Sequence, residues 1–396
     1  MRLELNRTLR VGFVLLSLAS TACQKRVLRD GRPKNARVDQ LVLQLTEPNE
    51  DMQRAALQSL TELGPLGARA IPAVARVVES AHGALRGEAA VTLVALAPGS
   101  HQAISGVEQV LRDSDAEVRE LGAIALGLLG PAGAPAYGLV QPLVSDSSPD
   151  VRAAAGYAVL KVQPSEANIQ LGYRMLESDE PRARFMALRG LRELGAGAVR
   201  QLPPIIAAIP DANVGTAIEA IRVLQGLGER AQPATQALLA ALERAEVAEQ
   251  ALRALVTIDH TGEVVLPALR QCITGSASAE ARARAVEGLA NYPKAVSENI
   301  LALVLALKDE DTRVATTALF AVSHLKPDYA AVRAALVGLV SHGAPALSWK
   351  AAEVMASYDA SGEDLVQLQS GSKRARLQAA YALGKLTRSE AVEHAL

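Results

Sequence analysis

The stretch "DAEVRELGAIALGLLG", residues 115–130, contains the unit from which most of this chain is built. Its apolar side chains recur at the three- and four-residue spacing of an amphipathic helix. They are Val118, Leu121, Ala125, Leu128 and Leu129. Gly130 and Pro131 follow at once, and neither residue favours the interior of a helix. The stretch therefore predicts one helix that ends in a turn.

The same pattern returns as "SPDVRAAAGYAVLKV" (148–162) and "SKRARLQAAYALGKL" (372–386). In each copy an arginine near the start precedes an apolar residue by seven places, and we call the place of this arginine the register position. It falls on Gln53, Arg86, Arg119, Arg152, Arg184, Ala217, Ala248, Arg282, Arg313, Ser348 and Arg376. A steady period of roughly 30 residues is typical of a solenoid of stacked repeats.

Each unit continues with a second apolar helix after a glycine or proline break, as in "AIPAVARVVES" (70–80). A short helical hairpin of this kind is marginal alone, so neighbouring hairpins are expected to bury each other's apolar faces. The uncharged run from Leu121 to Ser145 is long enough to be mistaken for a membrane span. Prolines interrupt it in phase with the repeat, so we interpret it as core.

The acidic residue shortly before a Val-Arg or Arg-Val pair, followed by an Ala-rich helix, resembles the HEAT-repeat family over residues 41–396. The matching acids are Asp115, Asp150 and Asp311. The resemblance implies an all-α fold, a right-handed α-solenoid of about eleven HEAT-like hairpins. It also implies an Asp–Arg ladder between neighbouring repeats, broken where the register falls on Ala217, Ala248 or Ser348.

The amino terminus has the layout of a secretory leader: three arginines in the first ten residues, then the apolar run "VGFVLLSLA". About nine apolar residues are too few to cross a bilayer, which takes about 20. Ser20, Thr21 and Ala22 precede Cys23, and this resembles the processing site of bacterial lipoproteins, although Ser20 stands where that family usually has Leu. The resemblance implies removal of residues 1–22 and lipidation of Cys23. Gln24 after the cysteine implies sorting to the outer membrane.

Residues 23–40 carry six cations and two acids and contain Gly31 and Pro33. They are expected to form a flexible tether, either lying against anionic headgroups or simply solvated. The expected organisation is thus a leader (1–22), a lipidated tether (23–40) and a solenoid body (41–396). The location is the cell envelope, with the body periplasmic or surface-exposed.

No motif in the sequence indicates catalysis, a metal site or a cofactor. The six histidines are scattered, and no zinc spacing, nucleophile elbow or phosphate-binding loop occurs. The 41 basic and 42 acidic residues nearly balance, which disfavours nucleic acid as a partner. Cys272 is expected either to be packed or to act as a reactive or bridging thiol.

Candidate partner-binding residues come from the second helices, which in HEAT proteins usually line the concave side. Counting 22 or 23 residues from the register position reaches a long polar side chain in several repeats. These residues are Arg76, Gln109, Gln141, Arg174 and Arg270. They form either a ridge that receives a protein segment or a surface that is polar because it faces water. Trp349, the single tryptophan, is either an exposed anchor or packed against the next repeat.

The sequence therefore predicts a membrane-anchored, noncatalytic protein-binding scaffold of the bacterial cell envelope. Its expected partners are envelope proteins, and the membrane through the lipid on Cys23. Two alternatives stay open. One is an enzyme or ligand-handling protein whose site lies in the concave groove and draws residues from several repeats. The other is a passive structural spacer.

Overall fold

The computed structural model describes residues 34–275, 277–342 and 344–358, and in these ranges the chain is helical without any strand. The prediction of an all-α solenoid built from helical hairpins is confirmed. The leader, Cys23 and the last predicted unit, with its register position at Arg376, lie outside the described residues.

Even-numbered helices are the first helices of the hairpins, and odd-numbered helices are the second helices. The first helices are α2 (Glu50–Leu63), α4 (Gly83–Leu96), α6 (Ala116–Leu129), α8 (Pro149–Val162), α10 (Pro181–Leu194), α12 (Val214–Leu227), α14 (Ala245–Ile258), α16 (Ala279–Leu289), α18 (Thr312–Leu325) and α20 (Pro345–Ala356). The second helices are α1 (Lys34–Gln44), α3 (Ile71–Ser80), α5 (His101–Leu111), α7 (Tyr137–Val140), α9 (Glu166–Leu176), α11 (Pro203–Ala207), α13 (Thr235–Ala241), α15 (Val265–Thr274), α17 (Val296–Leu307) and α19 (Tyr329–His342). Short 3-10 turns join some of them, at Gly64–Ala70, Gly130–Ala136, Gln141–Ser145, Ala196–Ala198, Gly228–Ala234 and Pro293–Ala295.

The turns within the hairpins form where the sequence predicts them. Gly64, Gly130 and Gly228 end α2, α6 and α12 with φ angles of 54°, 56° and 56°, a region that disfavours residues with a side chain. Gly195, after α10, has a φ of 82°. Glycine is therefore favoured at these four breaks, which explains why the patterns of α2, α6, α10 and α12 stop there.

The register position is the fourth residue of the first helix in α2 to α16 and in α20. In α18 the fourth residue is Ala315, so the assignment of the register to Arg313 is wrong by two residues. Arg313 is the second residue of that helix and is 62% exposed. The assignment followed the arginine, but in α18 the arginine precedes the valine, because the helix starts with Thr312, Arg313 and Val314.

The described chain divides by its internal contacts into two compact units, residues 1–204 and 205–396. In the amino-terminal unit the first helices α4, α6 and α8 are buried on nearly every side. Their alanines and glycines allow this, because small side chains let helices approach closely. Helix α1 also joins this core through Val38 and Leu41. It begins at Lys34, inside the segment 23–40 that was expected to form a flexible tether.

The run Ala116–Ser145 is, by length and composition alone, apolar enough to cross a membrane. It is not one straight helix, because the positive φ of Gly130 separates α6 from the 3-10 turn that follows. Helix α6 packs between α4 and α8, and its residues from Leu121 to Gly127 are buried. These contacts support the interpretation of this run as repeat core.

In the carboxyl-terminal unit, a buried aspartate organises the turn between α14 and α15. The carboxylate of Asp259 accepts hydrogen bonds from the backbone N–H groups of Val264 (2.6 Å), Val265 (2.8 Å) and Gly262 (2.9 Å). Burial opposes the charged form, yet these bonds and one from Thr261 hold its pKa below the usual range. Tyr292 donates to the Asp259 carbonyl at 2.6 Å and so fixes the same turn to the next repeat.

Candidate functional site

A ladder of ion pairs joins several of the hairpins to the next hairpin along the chain. The guanidinium groups of the register arginines Arg86, Arg119 and Arg282 donate to carboxylates of the following repeat. Their acceptors are Asp113 at 2.7 Å, Asp146 at 2.9 Å and Asp309 at 2.7 Å, respectively. Arg152 pairs in the same way with Glu180. The ladder implied by the resemblance is therefore present at these positions.

The acidic members of this ladder differ from those that the resemblance implies. Asp115 and Asp311 instead cap α6 and α18, where each carboxylate accepts from a backbone N–H at 2.8 Å. Asp150 lies 3.3 Å from Arg182. The ladder aspartates Asp113, Asp146 and Asp309 lie two residues before the helix caps, where each also accepts from a loop N–H, as Asp146 does from Ser148 at 2.9 Å. Glu180 differs, because it is itself the N-cap residue of α10. Hydrogen bonds from Arg119 and Arg282 hold the pKa values of Asp146 and Asp309 below the usual range.

The register side chains also bind backbone carbonyls that precede their own helix. Arg119 and Arg282 reach loop carbonyls six and five residues earlier, at Asp113 and Ala277. Arg86 donates to the carbonyl of Val78 at 2.9 Å, eight residues earlier. Ala217 cannot do this, and the equivalent carbonyl, that of Ile209, receives Nη1 of Arg244 at 3.1 Å. At Ser348 the hydroxyl donates to Leu339 at 3.0 Å. The ion pair is lost at Ala217 and Ser348, but in each case a backbone carbonyl that precedes the helix still receives a hydrogen bond.

Four of the predicted partner-binding residues lie on second-helix segments of the amino-terminal unit, a surface that we call the second-helix face. Arg76 is on α3, Gln109 on α5, Gln141 at the start of the 3-10 turn after α7, and Arg174 on α9. Arg76, Gln141 and Arg174 are exposed, and Gln109 is half-buried. Four successive repeats therefore each carry one of these residues on a second-helix segment.

Three of these four residues line clefts beside their own second helices. Arg76 borders a cleft of about 520 Å³ between α3 and the loop that joins α1 to α2. Gln109 borders one of about 110 Å³ between α3 and α5. Arg174 borders one of about 220 Å³ beside α9. Gln141 is not among the residues that line these clefts. The repeated position thus combines a long polar side chain with an adjacent opening.

The clefts offer apolar walls with charged rims. In the cleft beside α9, Leu171 and Met175 lie next to Arg174 and to the Arg152–Glu180 pair of the ladder. In the cleft beside α3, Arg76 has one weak intramolecular contact, from its Nε to the carbonyl of Pro72 at 3.4 Å. Such a site can hold an apolar side chain while the arginine donates to a carboxylate or carbonyl of a bound chain.

The other predicted residues belong to the carboxyl-terminal unit and have different surroundings. Nη1 of Arg270 lies 3.8 Å from the Glu298 carboxylate and 3.4 Å from Oδ1 of the wholly buried Asn299. Trp349 is half-buried on α20. Cys272 is also half-buried, and burial raises the pKa of its thiol. Within the described ranges, no group of three or more His, Cys, Asp or Glu residues is placed to hold a metal ion.

The closest packing in the amino-terminal unit lies on the first-helix side. The resemblance implies that the second helices line the concave side. In the structure, the first helices α4, α6, α8 and α10 contact one another more extensively than the second helices do. Arg182 reaches the wholly buried carboxylate of Glu120, two repeats earlier, across the start of α8. Sequence reasoning missed this pair, since its members are 62 residues apart and belong to no local motif.

Comparison with known proteins supports the fold. Residues 38–127 match the family of HEAT repeats. No curated protein matches this sequence. Among solved structures, that of Kap121p has a TM-score of 0.58 at 14% identity, covering 98% of this chain and 49% of that one. Importin beta has a TM-score of 0.61 at 13% identity, covering 95% of this chain and 61% of that one.

A structure of Kap95p with RanGDP has a TM-score of 0.56 at 14% identity and covers 100% of this chain and 59% of that one. The chain thus spans between about half and three fifths of the length of these structures. At this identity the likeness concerns the fold alone. The chain is an all-α solenoid, a fold typical of noncatalytic protein-binding scaffolds, and is similar to HEAT repeats over residues 38–127.

Proposed function

We propose that this protein is a membrane-anchored, noncatalytic scaffold of the bacterial cell envelope. Its second-helix face in the amino-terminal unit binds a segment of another envelope protein. The observation that carries the proposal is a repeated juxtaposition: Arg76, Gln109 and Arg174 each border a cleft beside their own second helix.

A protein segment that crosses successive second helices meets the same pair of features in several repeats. Each cleft accepts an apolar side chain, and the polar residue beside it hydrogen-bonds the segment. Several such weak sites on one rigid face add up to useful affinity, and they select a segment with apolar side chains at the matching spacing. Kap121p, which is similar in fold, has been solved bound to the extreme C-terminus of the protein phosphatase Cdc14p.

Anchoring is proposed from the amino-terminal sequence. The basic start, the short apolar run and the small residues before Cys23 favour a lipoprotein leader. Lipid on Cys23, with more than one acyl chain, would hold the solenoid at a membrane far more firmly than a single myristoyl group. The residues from 24 to the start of α1 would then separate the body from the membrane surface.

The binding face is tested by affinity capture from gently solubilised membranes. We expect wild-type protein to retain a stoichiometric envelope protein that is lost when Arg76→Glu and Arg174→Glu are combined. The matched control is Arg69→Glu, which reverses the charge of an arginine that is 60% exposed and lies in the turn between α2 and α3. Retention of the same partner by the double variant would contradict the proposal for this face.

The anchor is tested separately by metabolic labelling with a fatty-acid analogue that carries a click handle. We expect label on the wild-type protein and on Cys272→Ser, and none on Cys23→Ser. An unlabelled wild type, or a label that survives Cys23→Ser, would rule out the proposed anchor. Neither result would bear on the proposal for the binding face.

A further inference from the structure

Helix α17, a second helix of the carboxyl-terminal unit, leaves two leucines uncovered. Leu301 is 69% exposed and Leu305 is 43% exposed, whereas Leu303 and Leu307 on the inner side are wholly buried. Residues four apart are neighbours on a helix surface, so the two exposed leucines form one apolar patch. Exposed apolar patches rimmed by polar residues often mark interaction sites.

Opposite charges flank this patch on the same side of the helix. Glu298 precedes Leu301 by three residues, and its side chain is 71% exposed. Lys308 follows Leu305 by three residues and is also exposed. We call these four residues the α17 strip. It runs acid, leucine, leucine, base, and its members lie symmetrically about residue 303.

We propose that a second copy of this chain docks on the α17 strip, with the two α17 helices antiparallel about a twofold axis near residue 303. In this arrangement Glu298 faces Lys308 of the second copy, and Leu301 faces Leu305 of the second copy. Each contact occurs twice, as the isologous interface of a twofold dimer requires. The inference is independent of the proposed envelope partner.

Charge complementarity selects this arrangement over the parallel one. A parallel pair would place Glu298 against Glu298 and Lys308 against Lys308, and like charges across an interface are costly. Arg270 is the cation nearest to Glu298 in its own chain, but 3.8 Å between the charged atoms is a loose contact.

Sedimentation equilibrium of the full chain in neutral detergent tests the proposal. We expect a monomer–dimer equilibrium whose dissociation constant rises at least tenfold in Leu301→Glu. It should not change in Leu43→Glu, which alters a leucine of similar exposure, 66%, in the other unit. A wild type that stays monomeric, or a dimer that Leu301→Glu leaves intact, would overturn the proposal.

Charge exchange tests the antiparallel register. Glu298→Lys and Lys308→Glu should each weaken the dimer, because each brings like charges together twice. The double variant restores opposite charges and should return the dissociation constant to within a few-fold of the wild type. A double variant weaker than both single ones would overturn the register.

Disulfide trapping gives a second measure that does not depend on affinity. In a background lacking Cys23 and Cys272, chains carrying Leu301→Cys are mixed with differently tagged chains carrying Leu305→Cys. Oxidation should yield mainly the mixed disulfide, because residue 301 faces residue 305 of the second copy. Predominance of either symmetric disulfide would exclude the antiparallel arrangement.

Discussion

The guanidinium of Arg119 donates two hydrogen bonds of 2.9 Å to the carboxylate of Asp146 and so joins one repeat to the next. The side chains are only 16% and 8% exposed, so solvent screens this pair weakly. The hydrogen bonds from Arg119 are the main reason that the pKa of Asp146 lies below its usual range. The contact is therefore a source of stability that depends on pH.

Asp146→Asn should destabilise the folded chain. Hydrogen bonds to charged groups contribute more than neutral ones, and the substitution leaves Arg119 without its carboxylate, so we expect a loss of about 2 kcal/mol at pH 7. Urea unfolding followed by far-UV circular dichroism measures it. The control is Asp51→Asn, since Asp51 is 94% exposed and lies 3.6 Å from Arg54; it should cost less than about 0.5 kcal/mol.

The difference between wild type and Asp146→Asn should depend on pH with a definite sign. Because folding lowers the pKa of Asp146, its contribution is complete above the unfolded value of 3.8. It is lost as the pH falls through the lower folded pKa, where the carboxylate takes up a proton. The two unfolding curves should therefore converge below about pH 4. A gap that does not narrow as the pH falls below 3.8 would contradict this account.

Arg244→Ala should destabilise the carboxyl-terminal unit even though Arg244 belongs to no ladder ion pair. Its guanidinium supplies the donor that Ala217 cannot, at the carbonyl of Ile209. Loss of that hydrogen bond should cost about 1 kcal/mol in thermal or urea unfolding. Arg253→Ala is the control, because Arg253 is 62% exposed and pairs only with an equally exposed Glu249. Equal effects of the two substitutions would refute the compensating role of Arg244.

The hairpins were predictable from the sequence because each depends on local information. The first helices are set by apolar spacing within one unit, and their ends by glycines such as Gly130 that adopt a positive φ. The register position marks the fourth helical residue in nine of the ten first helices that the structure describes. The register position does not mark the fourth residue in α18, where Arg313 precedes Val314 and is the second residue of the helix.

Contacts between repeats were predictable only in kind. The sequence indicates that arginines pair with acids of a neighbouring repeat, but Asp113 and Asp115 are both acids near the start of α6, and loop geometry decides between them. The ion pair between Glu120 and Arg182 spans two repeats and corresponds to no recognisable pattern in the sequence. Counting along the repeat did find Arg76 and Arg174. The clefts beside them were not predictable, because they depend on how neighbouring helices and loops pack.

Gly127→Ala should destabilise the amino-terminal unit although alanine favours helices more than glycine does. A Cβ at this place in α6 would overlap the ring of Tyr157 on α8 and lie 2.5 Å from its Cδ1. Tyr157 is wholly buried and its hydroxyl donates to Glu193 at 2.8 Å, so the ring has no room to move aside. We expect a loss of about 2 kcal/mol by urea unfolding.

The comparison for Gly127→Ala is Gly338→Ala, in the middle of α19. A Cβ at Gly338 would meet nothing within 4 Å, so only helix propensity changes. This substitution should stabilise the chain by up to about 1 kcal/mol. If both substitutions shift the unfolding midpoint in the same direction, the close approach of α6 and α8 does not explain why glycine is needed at position 127.

The thiol of Cys272 should react slowly in the folded protein. Burial is the main cause of its raised pKa, the Glu243 carboxylate adds to it, and Arg282 opposes it. Only the thiolate is nucleophilic, so at pH 8 a Cys23→Ser chain should be alkylated by iodoacetamide several-fold more slowly than glutathione. The midpoint of its pH–rate profile should lie above 9.0, and urea should abolish the difference. Alkylation as fast as that of glutathione would mean that Cys272 is accessible and ionised, and would favour a reactive over a packed thiol.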